Sequence, residues 1–144
     1  MVEATENDLA RVLEIEREAI SPPWTPGGLL REIYNDNSFF VLASEDDAVL
    51  GFVILRRIGS DGELFQIAVD AANRRCGVAD ALMEAALRQA DGFDVNSLYL
   101  EVRKSNAAAI ALYEKHGFRQ TGSRKDYYTE PVEDAATMER RAKD

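Results

Sequence analysis

The sequence has few of the residues that would place it in several common classes of protein. Its 144 residues include one cysteine, one histidine and one tryptophan. A single cysteine, Cys76, excludes an intramolecular disulfide and fits a reducing compartment. No group of His, Cys and Asp residues has metal-ligand spacing, so we predict no metal site.

Long apolar runs are also missing. No stretch approaches the roughly 20 apolar residues that cross a bilayer, and the N-terminus lacks the basic and apolar segments of a signal peptide. No repeat, low-complexity run or Gly/Ser-rich linker divides the chain. The sequence therefore predicts a single cytoplasmic domain, residues 1–144, without membrane contact.

Charge is abundant but unbalanced. Charged residues make up 30% of the chain, and the net charge is −9. A negative surface argues against broad nucleic-acid binding. It would concentrate a basic substrate in a cleft, but it is equally consistent with a role in solubility alone.

Hydrophobic periodicity alternates between helical and strand spacing along the chain. Thr5 to Asp8 resembles a capping box, the Ser21-Pro22-Pro23 segment ends the first helix, and Thr25-Pro26 opens the second. Short polar turns between the next three strands favour an antiparallel meander. The order describes an α+β or mixed α/β sheet with helices on its faces. The predicted elements are two helices (about Leu9 to Ile20 and Pro26 to about Asn35), three strands (Phe39–Ala43, Val49–Ile58, Glu63–Val69), a helix from about Arg75, a strand (Ser97–Arg103), a helix from Asn106 to about His116, and two strands (Phe118–Tyr128, Ala135–Arg140).

A phosphate-binding loop is predicted between the third strand and the third helix, at residues 74–79, Arg-Arg-Cys-Gly-Val-Ala. The first N–H groups of a helix lack internal partners and carry partial positive charge. Gly77 and Ala79 let a diphosphate approach the backbone, and Arg74 and Arg75 add charge-assisted donors. The loop lacks the Gly-Lys-Ser/Thr end of a Walker motif. An ordinary surface turn that needs a glycine remains an alternative.

A second group of candidate residues lies in the strand and helix that follow. Glu101 is on the less apolar face of the strand, Asn106 begins the helix, and Tyr113 lies two turns further along the same side. A carboxylate and a phenol could thus bracket one cleft. Acylation of an amine by a thioester needs such a pair, because the amine must lose a proton and the departing thiolate benefits from gaining one.

Each of these residues has a structural alternative. Glu101 could be an exposed strand residue paired with Arg103 or Lys104. Tyr113 could pack against the sheet, and Asn106 could serve only as a helix N-cap.

The single histidine and the single cysteine have simple structural explanations. His116 directly precedes Gly117, and a cation near the C-terminus of a helix is its expected role. Cys76 is expected beside the anion loop rather than as a nucleophile, although its position near a helix start could lower the pKa of its thiol.

Three blocks of sequence together resemble the GCN5-related N-acetyltransferase (GNAT) superfamily. They are Ile67-Ala68-Val69, the Arg74-x-x-Gly77-x-Ala79 loop, and the block that runs from Leu100-Glu101-Val102-Arg103 through Ser105-Asn106 and Tyr113 to Gly117-Phe118. Within the superfamily, the blocks resemble the RimI family of ribosomal protein S18 alanine N-acetyltransferases. The Pro23-Trp24, Tyr127-Tyr128 and Glu133-Asp134-Ala135 segments extend the resemblance over nearly the whole chain.

The resemblance implies the GNAT fold, a mostly antiparallel mixed sheet that is splayed in a V and flanked by about four helices. The strands Glu63–Val69 and Ser97–Arg103 would border the splay. The resemblance also implies acetyl-CoA as cosubstrate and no metal. Residues implied to bind the cosubstrate are Ile67, Ala68 and Val69 for the pantetheine arm, Arg75, Cys76, Gly77, Val78, Ala79 and Asp80 for the pyrophosphate, and Asn106.

The same resemblance implies a direct attack of the amine in a ternary complex. Glu101 would be the general base, acting through water, and Tyr113 the acid that protonates the coenzyme A thiolate. The acceptor would be the N-terminal alanine of ribosomal protein S18, with a monomeric enzyme as the default. Another protein N-terminus, a lysine or a small amine is the first alternative, and a coenzyme A-binding module without turnover is the second.

Two residues of the loop depart from the family pattern. Ala79 stands where a second glycine is frequent, which the pattern allows. Asp80 stands where RimI proteins commonly have a basic residue. A carboxylate in the first turn of a helix suits the helix dipole but would repel a neighbouring phosphate.

Overall fold

Seven strands form one mixed sheet in the computed structural model, which describes residues 1–141. The order of strands across the sheet is β1-β2-β3-β4-β5-β7-β6. The strands are β1 (Val2–Glu3), β2 (Ser38–Glu45), β3 (Ala48–Ile58), β4 (Asp61–Val69), β5 (Ser97–Arg103), β6 (Arg119–Thr129) and β7 (Val132–Arg141), and the helices are α1 (Leu9–Ala19), α2 (Pro26–Ile33), α3 (Val78–Gly92) and α4 (Ala107–Lys115), with short 3-10 turns at Glu6–Asp8 and Ala71–Asn73.

The sheet has two arms that touch at only one end. Strands β1 to β4 form an antiparallel meander, and β5, β7 and β6 form a second antiparallel unit. The arms meet in a short parallel ladder, in which Gly62 pairs with Leu98 and Glu63 with Tyr99. Beyond Glu63, β4 and β5 diverge. The predicted mixed α/β sheet with mostly antiparallel strands and four helices is therefore confirmed for the described residues.

Helices cover both faces of the first arm, because successive strand residues point to opposite faces. On one face, α1 and α2 bury Val12, Ile15 and Leu29 against β2 to β4. On the other face, α3 packs Leu82 and Met83 into a larger core that extends to β5, α4 and β7. Within residues 1–141, no helix is both long enough and apolar enough to cross a membrane.

Several predicted boundaries are confirmed by local contacts. Asp8 accepts the Thr5 backbone N–H at 2.8 Å, as in a capping box. The Thr25 hydroxyl accepts the Gly28 N–H at 3.0 Å and caps α2. The third helix begins later than the expected Arg75, because Arg75 and Gly77 have φ values of 63° and 81° and turn the chain through the left-handed region. It therefore begins at Val78.

Glu16 is a carboxylate buried beneath α1. It shares the inward face of the helix with Val12 and Ile15, and its side chain is fully buried. Its carboxyl faces the Gln66 amide and the Trp24 backbone N–H, and neither contact reaches normal hydrogen-bond geometry. Burial disfavours the charged form more than these contacts favour it, and it raises the pKa of Glu16 to about 7.

The Glu16→Gln variant is expected to lose one pH-dependent contribution to stability. Between the ordinary pKa of 4.5 and the folded value of about 7, the folded protein binds a proton that the unfolded chain has released. The free energy of unfolding of the wild type therefore falls as pH rises through this window, relative to the variant. Across this window, the free energy of unfolding of the wild type falls by at most about 3 kcal/mol relative to that of the variant. Urea denaturation at about pH 4 and about pH 8 measures it, and a constant difference would show that Glu16 ionises freely.

Candidate active site

A cleft of about 820 Å³ opens where β4 and β5 diverge. Its walls come from both arms of the sheet, from the loop before α3, from α4, and from the α1–α2 loop. Both groups of residues that the sequence singled out therefore face one space. The two groups lie more than 20 residues apart in the sequence, so this meeting depends on the tertiary structure.

The edge of β4 that faces the cleft carries backbone groups that have no strand partner. The Asp70 N–H donates to the Leu50 carbonyl of β3 at 2.8 Å. Because hydrogen-bonded and non-bonded pairs alternate in an antiparallel ladder, Ala68 also bonds to β3. Ile67 and Val69 therefore direct their N–H and C=O groups toward the cleft, where the Val69 carbonyl accepts a hydrogen bond from Nε of Arg74 at 3.4 Å. The side chain of Ala68 is buried on the α1 face, and the predicted contact of Ala68 with the cosubstrate stays a prediction.

The loop before α3 presents backbone donors to the same cleft. The first helical bond runs from the Ala81 N–H to the Gly77 carbonyl at 3.1 Å. The N–H groups of residues 78–80 consequently have no partner within the helix. Arg75, Gly77, Ala79 and Asp80 line the cleft. This arrangement suits an anion, since the N–H groups and the helix dipole favour negative charge.

The two other predicted residues of the loop do not line the cleft with their side chains. Cys76 is exposed, and its sulfur lies 3.6 Å from the Arg74 carbonyl oxygen. Val78 is partly buried and packs against the core below α3.

Asp80 has two partners at the end of α4, the Lys115 ammonium and the His116 ring. Its Oδ1 lies 2.9 Å from Nε2 of His116 and 3.0 Å from Nζ of Lys115. The bonds to His116 and then Lys115 hold the pKa of Asp80 below its ordinary value. The negative charge that departs from the family pattern is thus paired, which reduces its repulsion of a phosphate. His116 is the C-cap of α4, where the sequence placed it.

Glu101 lies on β5 with its side chain 17% exposed to solvent. Its Oε1 is 3.4 Å from Nε of Arg124 on β6. The Tyr127 hydroxyl faces Glu101, and its interaction with this carboxylate is the largest of the effects that raise the pKa of Tyr127 to about 12. The expected alternative partners of Glu101 are engaged elsewhere: Arg103 pairs with Glu133 and Lys104 with Asp134.

Glu63 is a second carboxylate in the cleft, and the sequence analysis missed it. Glu63 pairs with Tyr99 in the short parallel ladder. Because Tyr99 is two residues before Glu101 on β5, Glu63 and Glu101 lie on the same face of the sheet. Burial and then the charge of Glu101 raise the pKa of Glu63. A glutamate at the start of a strand carries no distinguishing signal, so only the register of β4 against β5 reveals it.

Tyr113 and Asn106 both have structural roles and both line the cleft. The Tyr113 ring packs edge-on against Phe118, with centroids 5.9 Å apart. Burial raises the pKa of Tyr113, so its hydroxyl keeps its proton at neutral pH. Asn106 caps α4 through Oδ1, which accepts the Ala109 N–H at 3.1 Å. The side-chain amide nitrogen of Asn106 is not needed for this cap.

Aromatic residues surround the other end of the cleft. The Trp24 ring lies edge-on to Phe65, 5.7 Å between centroids, and Tyr127 and Tyr128 line the opposite side. These two segments are among those that extend the family resemblance outside its three main blocks. Among residues 1–141, no three His, Cys, Asp or Glu side chains form a group that could hold a metal ion.

The family model described as the acetyltransferase (GNAT) family matches residues 9–118 of the sequence. The chain therefore belongs to the GNAT acetyltransferase family. As a member of this family it is an acyltransferase.

The chain is similar to enzymes named for one particular acceptor. The ribosomal protein bS18-alanine N-acetyltransferase of Haemophilus ducreyi is 36% identical over 128 residues, which is 88% of this chain and 86% of the relative. The crystal structure of the ribosomal-protein-S18-alanine N-acetyltransferase from Escherichia coli is 33% identical, with a TM-score of 0.88 over 96% of this chain and 90% of that one. Ard1 from Thermoplasma volcanium is 28% identical, with a TM-score of 0.90 over 99% and 96% of the two chains.

The Gly77→Val variant is expected to weaken coenzyme A binding at least about tenfold, or by about 1.4 kcal/mol. Gly59 provides a matched control, because both glycines have positive φ (81° and 62°) and open space around an added Cβ. Both substitutions therefore strain the backbone, but of the two glycines only Gly77 lines the cleft. Calorimetric titration with coenzyme A should show lost affinity in Gly77→Val and normal affinity in Gly59→Val. Equal coenzyme A affinities of the two variants would contradict an anion-binding site at Gly77.

Proposed function

We propose that the protein transfers the acetyl group of acetyl-CoA to the N-terminal alanine amine of ribosomal protein S18. One observation carries the proposal: the open edge of β4, Glu101 and Tyr113 share a single cleft. The similarity of most of the chain to relatives named for this acceptor supports it. The proposal requires neither nucleic acid nor a second copy of the chain.

The donor half of the cleft suits acetyl-CoA. The backbone groups of Ile67 and Val69 would pair with the pantetheine arm as they would with an added strand, and the arm would replace Arg74 at the Val69 carbonyl. The N–H groups of residues 78–80 and the Arg75 side chain would bind the diphosphate, and the Asn106 amide would contact the arm between them. Bound in this way, the donor supplies a thioester whose carbonyl carbon is open to an amine.

Glu101 and Tyr113 would supply the two proton transfers. Glu101, acting through water, would take the proton that the amine must lose. Tyr113, which keeps its hydroxyl proton because it is buried, would protonate the departing thiolate. The amine attacks directly in a ternary complex: the C–N bond forms, the C–S bond breaks, and no acyl-enzyme is required.

The acceptor half of the cleft contains two carboxylates and several aromatic rings. Glu63 and Glu101 lie on one face of it, and Trp24 and Tyr128 contribute apolar surface. A protein N-terminus arrives as a cation, so its charge is complementary to this half of the cleft. An amine held beside Glu101 also lies at the residue that would take its proton.

The wild-type protein is expected to release coenzyme A thiol when it is given acetyl-CoA and a peptide that begins with Ala-Arg. The Glu101→Gln variant should lower turnover by roughly 10²- to 10⁴-fold, as the loss of a general base does, with little change in coenzyme A affinity. Thiol release measures the turnover, and mass spectrometry of the peptide shows whether its N-terminus is acetylated. The matched control is the same peptide with a blocked N-terminus and an internal lysine.

Three other outcomes would each contradict part of this proposal. Acetylation of the lysine peptide alone would assign a different acceptor. A thermal shift with coenzyme A but no thiol release with either peptide would indicate a binding module. Unchanged turnover of Glu101→Gln at saturating substrate would remove Glu101 from the chemistry.

The Tyr113→Phe variant is expected to slow the chemical step while the fold survives, because the ring contact with Phe118 needs no hydroxyl. Single-turnover acetylation would measure the rate, and thermal unfolding would measure stability. A large fall in the melting temperature with an unchanged single-turnover rate would leave Tyr113 with a packing role only.

A further inference from the structure

Arg103, the last residue of β5, holds two separate loops with one side chain. Its Nη2 donates to the carbonyl oxygens of Ser21, at 2.7 Å, and Glu130, at 3.1 Å. Its Nη1 donates to the Pro131 carbonyl at 2.9 Å and to Oε1 of Glu133 at 3.2 Å. The side chain is only 16% exposed. These contacts occupy both ends of the guanidinium fork.

The two loops come from opposite arms of the sheet. Ser21 belongs to the loop between α1 and α2, and these helices pack on the β1–β4 arm. Glu130 and Pro131 form the turn between β6 and β7 on the other arm. The Ser21 hydroxyl also donates to the Glu130 carbonyl at 2.7 Å. Arg103 therefore bridges the V across its open end.

The bridge lies at the acceptor end of the cleft. Arg103 and Ser21 line the cleft together with Tyr128, whose ring centroid is 4.4 Å from the guanidinium carbon. Arg103 is two residues beyond Glu101 on the same face of β5, roughly 7 Å along the strand. Anything that presents an amine to Glu101 must therefore pass beside the bridged loops.

We infer that Arg103 is a positioning residue that joins the α1–α2 loop and the β6–β7 turn into one wall of the acceptor site. This inference rests on the proposed function. A guanidinium has five donors in a planar fork and can bond to both loops at once, whereas the ammonium of a lysine is a compact point charge. Without Arg103 the hydrogen bond from Ser21 to Glu130 would still link the loops, but they would be held less firmly, and ordering them around a peptide would cost binding energy.

The bridge can be removed without unfolding the protein. Ser21, Glu130 and Pro131 are exposed residues, so water can replace the guanidinium at their carbonyl groups. Lys104 offers a matched control. It is the next residue and also a cation, but its side chain is half exposed and lies 4.0 Å from Asp134.

The test compares Arg103→Met and Arg103→Lys with Lys104→Met in the full-length protein. Both Arg103 variants should raise KM for the Ala-Arg peptide about tenfold or more while KM for acetyl-CoA stays unchanged. Hydrogen exchange of residues 20–25 and 129–132 should accelerate in the same variants. Lys104→Met should match the wild type in all three measurements.

Several outcomes would overturn the inference. Normal exchange of both loops in Arg103→Met would show that no bridge exists. A rise in both KM values together with a lower melting temperature would indicate a general structural role. An Arg103→Lys variant that matches the wild type would show that charge suffices without the fork. If the wild type acetylates no N-terminal peptide, the proposed function fails, while hydrogen exchange still decides whether Arg103 joins the loops.

Discussion

The parallel contact between β4 and β5 holds the two arms of the sheet together over two residue pairs and then ends. At Gly62 the arms come so close that a Cβ would lie 2.7 Å from Leu98 Cδ2. Past Glu63 the strands separate, and the edge of β4 keeps N–H and C=O groups without a strand partner. Such groups need hydrogen bonds, so the divergence produces both the space and the polar surface of the site.

Charged side chains around the cleft are paired mainly across elements rather than within them. Asp80 on α3 meets Lys115 and His116 at the end of α4, and Glu101 on β5 meets Arg124 on β6. Arg103 joins loops from both arms. These contacts determine the local charge of each half of the cleft, which the net charge of −9 does not describe. They also explain how an acidic residue can lie beside the proposed phosphate-binding loop.

Much of the fold could be predicted from the sequence, because its signals are local. The period of the apolar residues located β5 at the residues the structure shows, and the Thr25-Pro26 pair located the start of α2. The predictions failed where backbone conformation was unusual, as at Arg75 and Gly77, which delay the start of α3. Glu16 is a polar residue in an apolar stripe of α1, and only packing shows that it is buried.

The sequence by itself determined the order of the elements, the family resemblance and the identities of Glu101, Asn106 and Tyr113. Tertiary structure decided which of these residues share a cleft, that Glu63 joins them, that Asp80 is paired, and that the side chain of Ala68 is buried on the α1 face. The physical reason is the range of the interactions. Periodicity, capping and turns act over a few residues, whereas strand register, burial and ion pairs depend on residues that only folding brings together.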